Sequence, residues 1–491
     1  MRLRIIVLFI ALGILVELTP CMSQNKEYLS TFEIVWKKVN ETYYDPTFGG
    51  LNWKDVHDRY LPQITAAEKD EEFYRLINKM LWELKVSHTN IVPPGSFALY
   101  EPLVFAEGSP GIDIRLLNGV AMITSVKPES PASQAGLRPG YVIQAIDEIS
   151  VEQIVREVEL RMSPPYNSRG RIARITKAIL GRIYGAPGTE VSIVYTDEGG
   201  EKREKKIVRT KRSGAAVGPK GMIFFAIDFE ARRLDNGIGY IRLNTLQPQF
   251  AAQISKAIKS MGDVRGIIFD LRGNSGGEIE QMPDLFLRER ALLYLNRTRN
   301  GETKVFFDPA DDAFKGPLVL LIDPLSGSAS ELFASGLQAI GRAVVVGERS
   351  PGSVMEMDTM IFPNGAIFMY PVAQMVTPNG TVLEGHGVVP DIEVGLDREM
   401  LLKGIDSQLD SAIRYIEKDN FTSYCSFLLQ SRSFQQAYWE IIADNLEKEI
   451  TITQRTKETG IRKVLGASAG EVMRLQAKPF LRWILAANLA A

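Results

Sequence analysis

The sequence predicts an α/β fold with a helical N-terminal segment and an inserted, mostly β segment. Residues 317–322 and 266–270 are unbroken apolar runs, each followed by a turn of small residues. Such runs are typical of strands that are covered on both faces. After the 317–322 strand the pattern predicts a helix at 330–340 and another strand at 343–346, which completes a β-turn-α-β unit.

Composition sets broad limits on partners. The 491 residues are 45% hydrophobic and 24% charged, which is ordinary for a globular protein, and they allow roughly three domains. The net charge of −2 gives no support for nucleic-acid binding. No cofactor is predicted, and the sequence does not indicate an oligomeric state.

Residues 1–23 are predicted to be a secretory signal peptide. Arg2 and Arg4 precede an apolar run of residues 5–16, and small residues come just before Gln24. This run is too short to be a membrane span. We therefore expect an exported protein, periplasmic or extracellular.

Cys21 allows a lipoprotein anchor as an alternative, although Pro20 fits such a motif poorly. Cleavage before Gln24 would leave Cys425 as the only cysteine. An intramolecular disulfide and a cysteine zinc site are then excluded, and no metal site is predicted.

Residues 24–98 are predicted to be a helical domain with two amphipathic stretches separated by Asp45–Gly50. The apolar positions are Phe32, Val35, Trp36 and Val39 in the first stretch, and Phe73, Leu76, Ile77, Met80, Leu81 and Leu84 in the second. The second stretch runs into Ser87-His88. A histidine here could simply cap a helix end.

Residues 99–213 are predicted to be mostly β. Strands at 119–126 and 142–146 flank SPASQAGLRPGY, a short capped helix and a tight turn, and this combination resembles a PDZ domain. The resemblance implies that Gly111, Ile112, Asp113 and Ile114 hold a peptide carboxylate and that an extended peptide adds to the sheet as a strand. The basic stretch 160–185 is interpreted as a solvated inserted helix.

Residues 214–420 are predicted to be the α/β domain. A strand at 237–243, a helix at 250–261 and the buried strand at 266–270 lead to the glycine loop Leu271–Gly277. Glycines after a buried strand free main-chain N–H groups for a ligand. Because no Gly-Lys-Ser/Thr follows, the loop is not a phosphate loop, but it suits an oxyanion. A last helix is expected around 408–417.

Ser328 lies between the 317–322 strand and the following helix. Main-chain N–H groups and the helix dipole favour negative charge there, which suits an activated serine and an oxyanion. A serine without a catalytic role is the alternative at this stage.

Residues 421–491 are predicted to be a tail of different character. RTKETGIRKVLGAS and the apolar residues after it resemble part of a macrolide-export-type ABC transporter permease. We interpret the segment as a fragment joined by gene fusion or a frame error. Membrane association through this tail, as part of an export complex, stays open.

Three motifs together resemble the C-terminal processing peptidases and tricorn-like serine peptidases over roughly residues 27–420. They are GIIFDLRGNSGG, the residues around Ser328 and GRAVVVGE. The resemblance implies a crotonase/ClpP-like α/β core with Ser328 as nucleophile. The C-terminal processing branch uses a lysine base about 25 residues after the serine, where this chain has Ser353, which argues against a Ser–Lys dyad.

The tricorn-like branch instead uses a Ser-His pair before the PDZ domain and a later glutamate. This implies His88 as general base, oriented by Ser87, which Glu384 fixes, with the N–H groups of Gly277 and Ala329 as the oxyanion hole. His386 is the alternative base.

Three other titratable residues are assigned structural positions. His57 is predicted to be a surface residue in mid-helix, Asp270 to support the turn below the glycine loop, and Glu331 to complement the helix dipole.

The sequence therefore predicts an exported serine endopeptidase that acts on polypeptides through an acyl-enzyme. The alternative is a non-catalytic protein on the same fold that binds peptides or apolar ligands.

Overall fold

In the computed structural model the structure describes residues 26–96, 102–161, 168–212, 216–217, 223–224 and 227–417. They all lie in one structural unit that extends to Ser423. The predicted signal peptide, 1–23, and the tail, 421–491, fall outside the described residues.

The N-terminal segment is mainly helical. Its elements are α1 (26–42), a 3₁₀ turn at Phe48–Gly50, α2 (Trp53–Ala66), α3 (Asp70–Leu81), a 3₁₀ turn at Trp82–Leu84 and strand β1 (Asn90–Val92). The predicted amphipathic faces turn inward, and Phe32, Val35 and Ile77 are fully buried. The N cap of α2 is Asn52, whose side chain accepts from the N–H of Lys54.

The middle segment is an antiparallel sheet with helices packed on it. Its elements are α4 (Pro102–Phe105), β2 (Gly108–Ser109), β3 (Ile112–Leu117), β4 (Val120–Val126), α5 (Pro131–Gln134), β5 (Val142–Ile146), β6 (Ile149–Ser150), α6 (Val151–Arg161), α7 (Ser168–Ile183), β7 (Glu190–Thr196), β8 (Lys202–Val208) and β9 (Thr210–Lys211). The strand order among the described residues is β3-β4-β5-β7-β8, and β6 pairs with β5.

The basic stretch 160–185 is not simply a solvated helix. The helix exists as α7, but Ile175, Ile179 and Ile183 on one of its faces are fully buried in the core of the middle segment. The spacing of these isoleucines, four residues apart, is that of a core-facing helix. The surplus of arginine and lysine in this stretch concealed this apolar face.

The remaining elements include strands of two larger sheets and of one separate two-stranded sheet. They are β10 (Ala216–Val217), β11 (Ile223–Phe224), β12 (Phe229–Arg233), β13 (Gly239–Leu243), a 3₁₀ turn at Pro248–Phe250, α8 (Ala251–Ser260), β14 (Ile267–Asp270), a 3₁₀ turn at Pro283–Leu285, β15 (Ala291–Thr298), β16 (Gly301–Phe307), β17 (Leu318–Ile322), α9 (Ala329–Ala339), β18 (Val344–Gly347), β19 (Glu356–Ile361), β20 (Ile367–Val376), β21 (Ile392–Glu393), α10 (Arg398–Leu402) and α11 (Ser407–Glu417).

The main sheet has the strand order β12-β13-β14-β17-β18-β21 in the described residues, parallel except for β12. A second, antiparallel sheet has the order β1-β20-β15-β16, with β19 also paired to β20. The chain is therefore a mixed α/β protein with several sheets, as the sequence predicts. The predicted strands are present within two residues, but the second sheet was not anticipated.

The topology brings four chain segments to one edge of the main sheet. Since β13, β14, β17 and β18 run parallel, the residues after each of them meet at the same end. These are 244–247, the glycine loop 271–277, the turn 323–328 and the stretch 348–355. Crevices at the carboxyl ends of parallel strands are the usual ligand sites of such sheets.

Ion pairs join the middle segment to this edge. Asp113 contacts Arg242 at 3.1 Å, and the Arg115 guanidinium pairs with Asp323. The carboxylate of Asp323 also accepts from the N–H of Gly273 at 3.0 Å and of Leu325 at 2.9 Å. Buried pairs of this kind are strongly directional, so β3 has a fixed position beside the turn that precedes Ser328.

His57 is less exposed than its position in mid-helix suggests. Its ring lies against Phe32 and Trp36, with centroids 5.1 and 4.8 Å away. Nε2 lies 2.9 Å from Glu33 and Nδ1 lies 3.0 Å from Asp58. Partial burial disfavours the charged ring, but the two carboxylates outweigh this and raise the pKa of His57.

We predict that His57→Leu destabilises the protein more in acid than in alkali. A raised pKa in the folded state contributes stability below the unfolded pKa of about 6.5, and this contribution is lost as pH rises through the folded value. Urea unfolding at about pH 5.5 should show an additional cost of roughly 0.5–1 kcal/mol relative to about pH 8.5. His386→Leu is the control, and an equal cost at both pH values would contradict the role of the carboxylates.

Candidate active site

Ser328 occupies a strained backbone position between β17 and α9. Its φ of 53° and ψ of −123° lie where side chains are rarely found. Such strain costs roughly 1–3 kcal/mol and persists where neighbouring contacts enforce it. Here the N–H of Ser328 donates to the carbonyl of Ser353 at 2.8 Å, and its own carbonyl accepts from Glu331 N–H at 2.9 Å. The half-buried side chain stands at the start of a helix at the edge of the main sheet.

The glycine loop packs directly against Ser328. A Cβ added to Gly276 would lie 2.6 Å from Ser328 Cβ and 2.9 Å from Ala329 N, so this approach requires glycine. Asn274 braces the contact, because its carbonyl accepts from Gly327 N–H at 3.0 Å and its Oδ1 accepts from Ser330 Oγ at 2.7 Å.

The orientation of the 276–277 peptide exposes one N–H. The Gly276 carbonyl accepts from Leu246 N–H at 2.7 Å and from Thr245 Oγ1 at 2.9 Å. Since N–H and C=O point in opposite directions across a trans peptide, Gly277 N–H is directed away from these partners. Within the described ranges, neither Gly277 N–H nor Ala329 N–H donates a hydrogen bond. Both donors are therefore available beside Ser328.

Two buried side-chain atoms near this loop also have no partner among the described residues. They are Gln247 Nε2 and Ser275 Oγ. A Cβ on Gly277 would lie 2.8 Å from Gln247 Nε2, which places this nitrogen next to the loop. Sequence reasoning missed Gln247, since nothing in the surrounding pattern distinguishes it.

Ser87, His88 and Glu384 form a second constellation. Ser87 Oγ donates to Glu384 Oε2 at 2.9 Å, and Ser87 N–H donates to Glu384 Oε1 at 2.6 Å. The same Ser87 Oγ lies 2.7 Å from His88 Nδ1. Because the hydroxyl proton goes to the carboxylate, His88 Nδ1 must carry the proton that it donates to Ser87. The lone pair of the neutral imidazole is then on Nε2.

Burial sets the protonation of this constellation. Removal from water, with Lys177 of α7 nearby, lowers the pKa of His88 to about 4. Burial also raises the pKa of Glu384, while N–H donors from Val354 and Ser87 act in the opposite direction. At neutral pH His88 is consequently uncharged and able to accept a proton.

The surroundings of Ser328 and the constellation of Ser87, His88 and Glu384 meet at residues 353–354. Ser328 N–H donates to Ser353 O, and Val354 N–H donates to Glu384 Oε2, both at 2.8 Å. In the part of the chain that the structure describes, Ser328 Oγ and His88 Nε2 make no direct hydrogen bond. Catalytic hydrogen bonds are often long without substrate, so this separation does not remove His88 as a candidate base.

Glu331 does more than complement the helix dipole, and here the sequence interpretation was incomplete. It is fully buried and accepts from Ser350 Oγ at 2.5 Å, Gly352 N–H at 2.7 Å and Ser353 N–H at 2.8 Å. Ser328 N–H lies 3.2 Å from its other oxygen, Oε2. Contacts with a loop some 20 residues away could not be found from helix position alone.

The other histidine and aspartate candidates differ in position. His386 is exposed, and its Nδ1 contacts the main-chain carbonyl of Glu384 at 3.0 Å. Asp270 is fully buried and accepts from Tyr240 Oη at 2.7 Å and from the Arg272 guanidinium. Burial opposes ionisation of Asp270, but Arg272 overcomes it and holds the pKa at about 2.

Of the predicted peptide-binding residues, Ile112, Asp113 and Ile114 lie on β3, at the edge of the middle sheet, and Gly111 comes directly before it. Gly111 has a φ of +91°, and a Cβ there would lie 2.3 Å from Ser130 Cβ. The carbonyl of Ile112 accepts from Tyr184 Oη at 3.1 Å, and Ile114 N–H donates to Asp113 Oδ1 at 3.0 Å. These main-chain groups are therefore already bonded within the chain.

The described residues contain no group of three or more histidine, cysteine, aspartate or glutamate side chains placed to hold a metal ion. None of the helices described is sufficiently long and apolar to cross a membrane.

Comparisons with known proteins agree with this geometry. The family model for peptidase family S41 matches residues 237–394, and that for the tricorn protease C1 domain matches residues 24–82. The first match contains the glycine loop, Ser328 and Glu384, and the second ends just before Ser87.

Two relatives represent both branches. A carboxyl-terminal-processing protease of Synechocystis sp. is 27% identical over 374 residues, covering 72% of this chain and 78% of the relative. Tricorn protease homolog 1 of Streptomyces coelicolor is 24% identical over 394 residues, covering 79% of this chain and 35% of the relative.

Solved structures share the fold. The photosystem II D1 C-terminal processing protease has a TM-score of 0.51 at 23% identity, covering 80% of this chain and 98% of that chain. Mature CPAF has a TM-score of 0.54 at 12% identity, covering 80% and 96%.

Together the fold, the serine at the sheet edge and these matches define a serine-type peptidase. Residues 237–394 match the model of peptidase family S41, and the chain is similar to both C-terminal processing and tricorn proteases, as its motifs predicted.

We predict that Asp270→Ala lowers the free energy of unfolding of the protein. The substitution leaves Arg272 and Tyr240 buried without their shared acceptor, which typically costs 3–5 kcal/mol. Guanidinium unfolding measures this loss. Asp308→Ala is the control, because that carboxylate is exposed and pairs loosely with Arg290 at 3.4 Å. Equal unfolding free energies for the two variants would contradict the structural role of Asp270.

Proposed function

We propose that the chain is an exported serine endopeptidase that cleaves polypeptides through an acyl-enzyme at Ser328. The observation that carries this proposal is the junction at residues 353–354, which holds Ser328 on one side and Glu384, with Ser87 and His88, on the other. The predicted signal peptide supports export. We also propose the crotonase/ClpP-like core for residues 214–420, preceded by a helical domain, 24–98, and a PDZ-like domain, 99–213.

His88 is the proposed general base. Ser328 Oγ attacks the scissile carbonyl carbon while its proton passes to His88 Nε2, the nitrogen that carries the lone pair. The proton on Nδ1 stays bonded to Ser87, which Glu384 orients, so the ring keeps one tautomer throughout. His88 then gives the proton to the leaving amine as the C–N bond breaks, and a water molecule releases the acyl group by the same route.

Gly277 and Ala329 are the proposed oxyanion donors. Among the described residues their N–H groups have no protein acceptor, and they flank the nucleophile. Charge that develops on the carbonyl oxygen would be stabilised without reorganisation, since both N–H groups are already fixed by the loop and the helix start.

The proposed peptide-binding element is β3 from Gly111 to Ile114. A peptide strand added there would exchange bonds such as that of Tyr184 with Ile112 for main-chain bonds of its own. Affinity at this edge would therefore be the difference between two sets of hydrogen bonds, which favours modest binding and ready release.

A non-catalytic peptide-binding protein is the second candidate. The observation that favours it is the lack of a direct hydrogen bond between Ser328 Oγ and His88 Nε2 in the described part of the chain. It predicts that peptides bind without turnover and that a fluorophosphonate does not label Ser328.

We expect a fluorophosphonate to label the wild-type chain and not Ser328→Ala. His88→Ala should reduce hydrolysis of an unfolded protein substrate by about 10²–10⁴-fold, the usual contribution of a general base. His386→Ala is the matched control and should retain activity. Labelling that persists in Ser328→Ala, or hydrolysis lost in His386→Ala but not in His88→Ala, would overturn these assignments.

We expect Gly277→Ala to reduce kcat by about 10²–10³-fold, as removal of an oxyanion donor does. The added Cβ would lie 2.0 Å from Leu246 O, so the loop must shift and carry the N–H out of position. Gly301→Ala is the control: its φ of +131° resembles the +125° of Gly277, but no atom lies within 4 Å of the added Cβ. Similar steady-state kinetics for the two variants would count against the oxyanion role.

A further inference from the structure

We propose that Glu331 is a positioning residue whose carboxylate ties the turn of the nucleophile Ser328 to the 350–353 loop. This inference rests on the proposed function and adds to it the element that holds the nucleophile and its support in register. It concerns a residue that touches neither substrate nor the reacting atoms.

The contacts of Glu331 join the start of α9 to the 350–353 loop, which follows about 20 residues later in the sequence. Oε1 accepts from Ser350 Oγ and Gly352 N–H, and Oε2 accepts from Ser353 N–H and, at 3.2 Å, from Ser328 N–H. All of these groups are donors, so the site suits a carboxylate, which only accepts. A protonated acid or an amide would direct one of its own hydrogens at a donor.

The 350–353 loop, which Glu331 holds, supports the whole proposed site. Ser353 O accepts from Ser328 N–H, and the next residue, Val354, donates to Glu384. Gly385 N–H returns to Gly352 O at 2.8 Å. A shift of this loop would therefore move the nucleophile and the Glu384 support of Ser87-His88 relative to each other.

A role as a helix cap alone does not explain the four contacts of the Glu331 carboxylate. Capping requires only the contact of Glu331 with Ser328 N–H, which is the longest of the four. The three shorter contacts all go to residues 350–353. In addition, Ser350 Oγ accepts from Val388 N–H at 2.7 Å, which extends the tie to the segment that follows Glu384.

The first test separates positioning from folding. Glu331→Gln should lower kcat by on the order of 10²-fold, the effect of a displacement of about 1 Å, while KM changes less than about twofold. The matched control is Asp391→Asn, another carboxylate of raised pKa that accepts a main-chain N–H, from Val345 at 2.8 Å. This control should keep kcat within about twofold of wild type. An unchanged kcat in Glu331→Gln would overturn the proposal.

The pH dependence of kcat/KM distinguishes a positioning role of Glu331 from a merely structural one. Burial raises the pKa of Glu331 to about 7, with the charge of Glu384 adding to it, while Ser350, Gly352 and Ser353 act in the opposite direction. The pKa of His88, about 4, lies well below this range. We therefore expect wild-type kcat/KM to rise as pH passes through about 7, and this limb to be absent in Glu331→Gln.

Ser350→Ala keeps the test decisive if Glu331→Gln does not fold. Removal of the Ser350 hydroxyl takes away a donor that favours the ionised carboxylate, so the limb near pH 7 should move to higher pH. A midpoint that stays in place in Ser350→Ala, or a limb that persists in Glu331→Gln, would overturn the proposal.

Fluorophosphonate labelling distinguishes a failure of the proposed function from a failure of the positioning role of Glu331. Wild-type chain that is not labelled would count against the proposed function itself. Labelling of wild type and Glu331→Gln at the same rate would leave the proposed function intact and contradict only the positioning role of Glu331.

Discussion

The stretch from Ser350 to Met355 is the constraint on which the candidate site depends, because two carboxylates, the buried Glu331 and the half-buried Glu384, hold it from opposite sides. Glu331 accepts from its first part and Glu384 from Val354 and Met355. Among the described residues, neither carboxylate forms a hydrogen bond or an ion pair with a lysine or an arginine. Both are instead satisfied by main-chain N–H and hydroxyl donors, which stabilise charge with little freedom to move.

The proposed site needs no lysine at the position of Ser353. A lysine base would bring a positive charge and a long flexible chain to the nucleophile. In this chain the same loop carries main-chain donors toward Glu384, and the proposed base, His88, comes from the N-terminal segment. Ser87 and Glu384 are 297 residues apart in sequence, yet their contact fixes the tautomer of His88. The loop therefore supports the carboxylate that orients the proposed base.

The sequence could predict the parts of this site whose signals are local. The apolar run of β17, its turn and the start of α9 place Ser328, and the strand before Gly276 and Gly277 places the glycine loop. The pairing of His88 with Glu384 came only from family resemblance, since no local pattern connects them. Glu331 lies in the first turn of α9 as predicted, but its further contacts could not be predicted, because its partners lie in a loop without regular structure. Similarly, the charged face of α7 masked the buried isoleucines on its other side.

The protonation pattern follows from burial more than from charge pairing, and this bears on how the site works. Burial favours the neutral form of any ionisable group, so it keeps His88 uncharged by lowering its pKa and weakens the acids Glu331 and Glu384 by raising theirs. Burial thus acts in opposite directions on the half-buried His88 and on the two carboxylates. Main-chain donors compensate at the two carboxylates, whereas the imidazolium that forms when His88 accepts a proton would be supported by Ser87 and, through it, by Glu384. This asymmetry explains why the 350–355 stretch presents so many N–H groups inward, and why its geometry, more than the chemistry of any one side chain in it, governs the site.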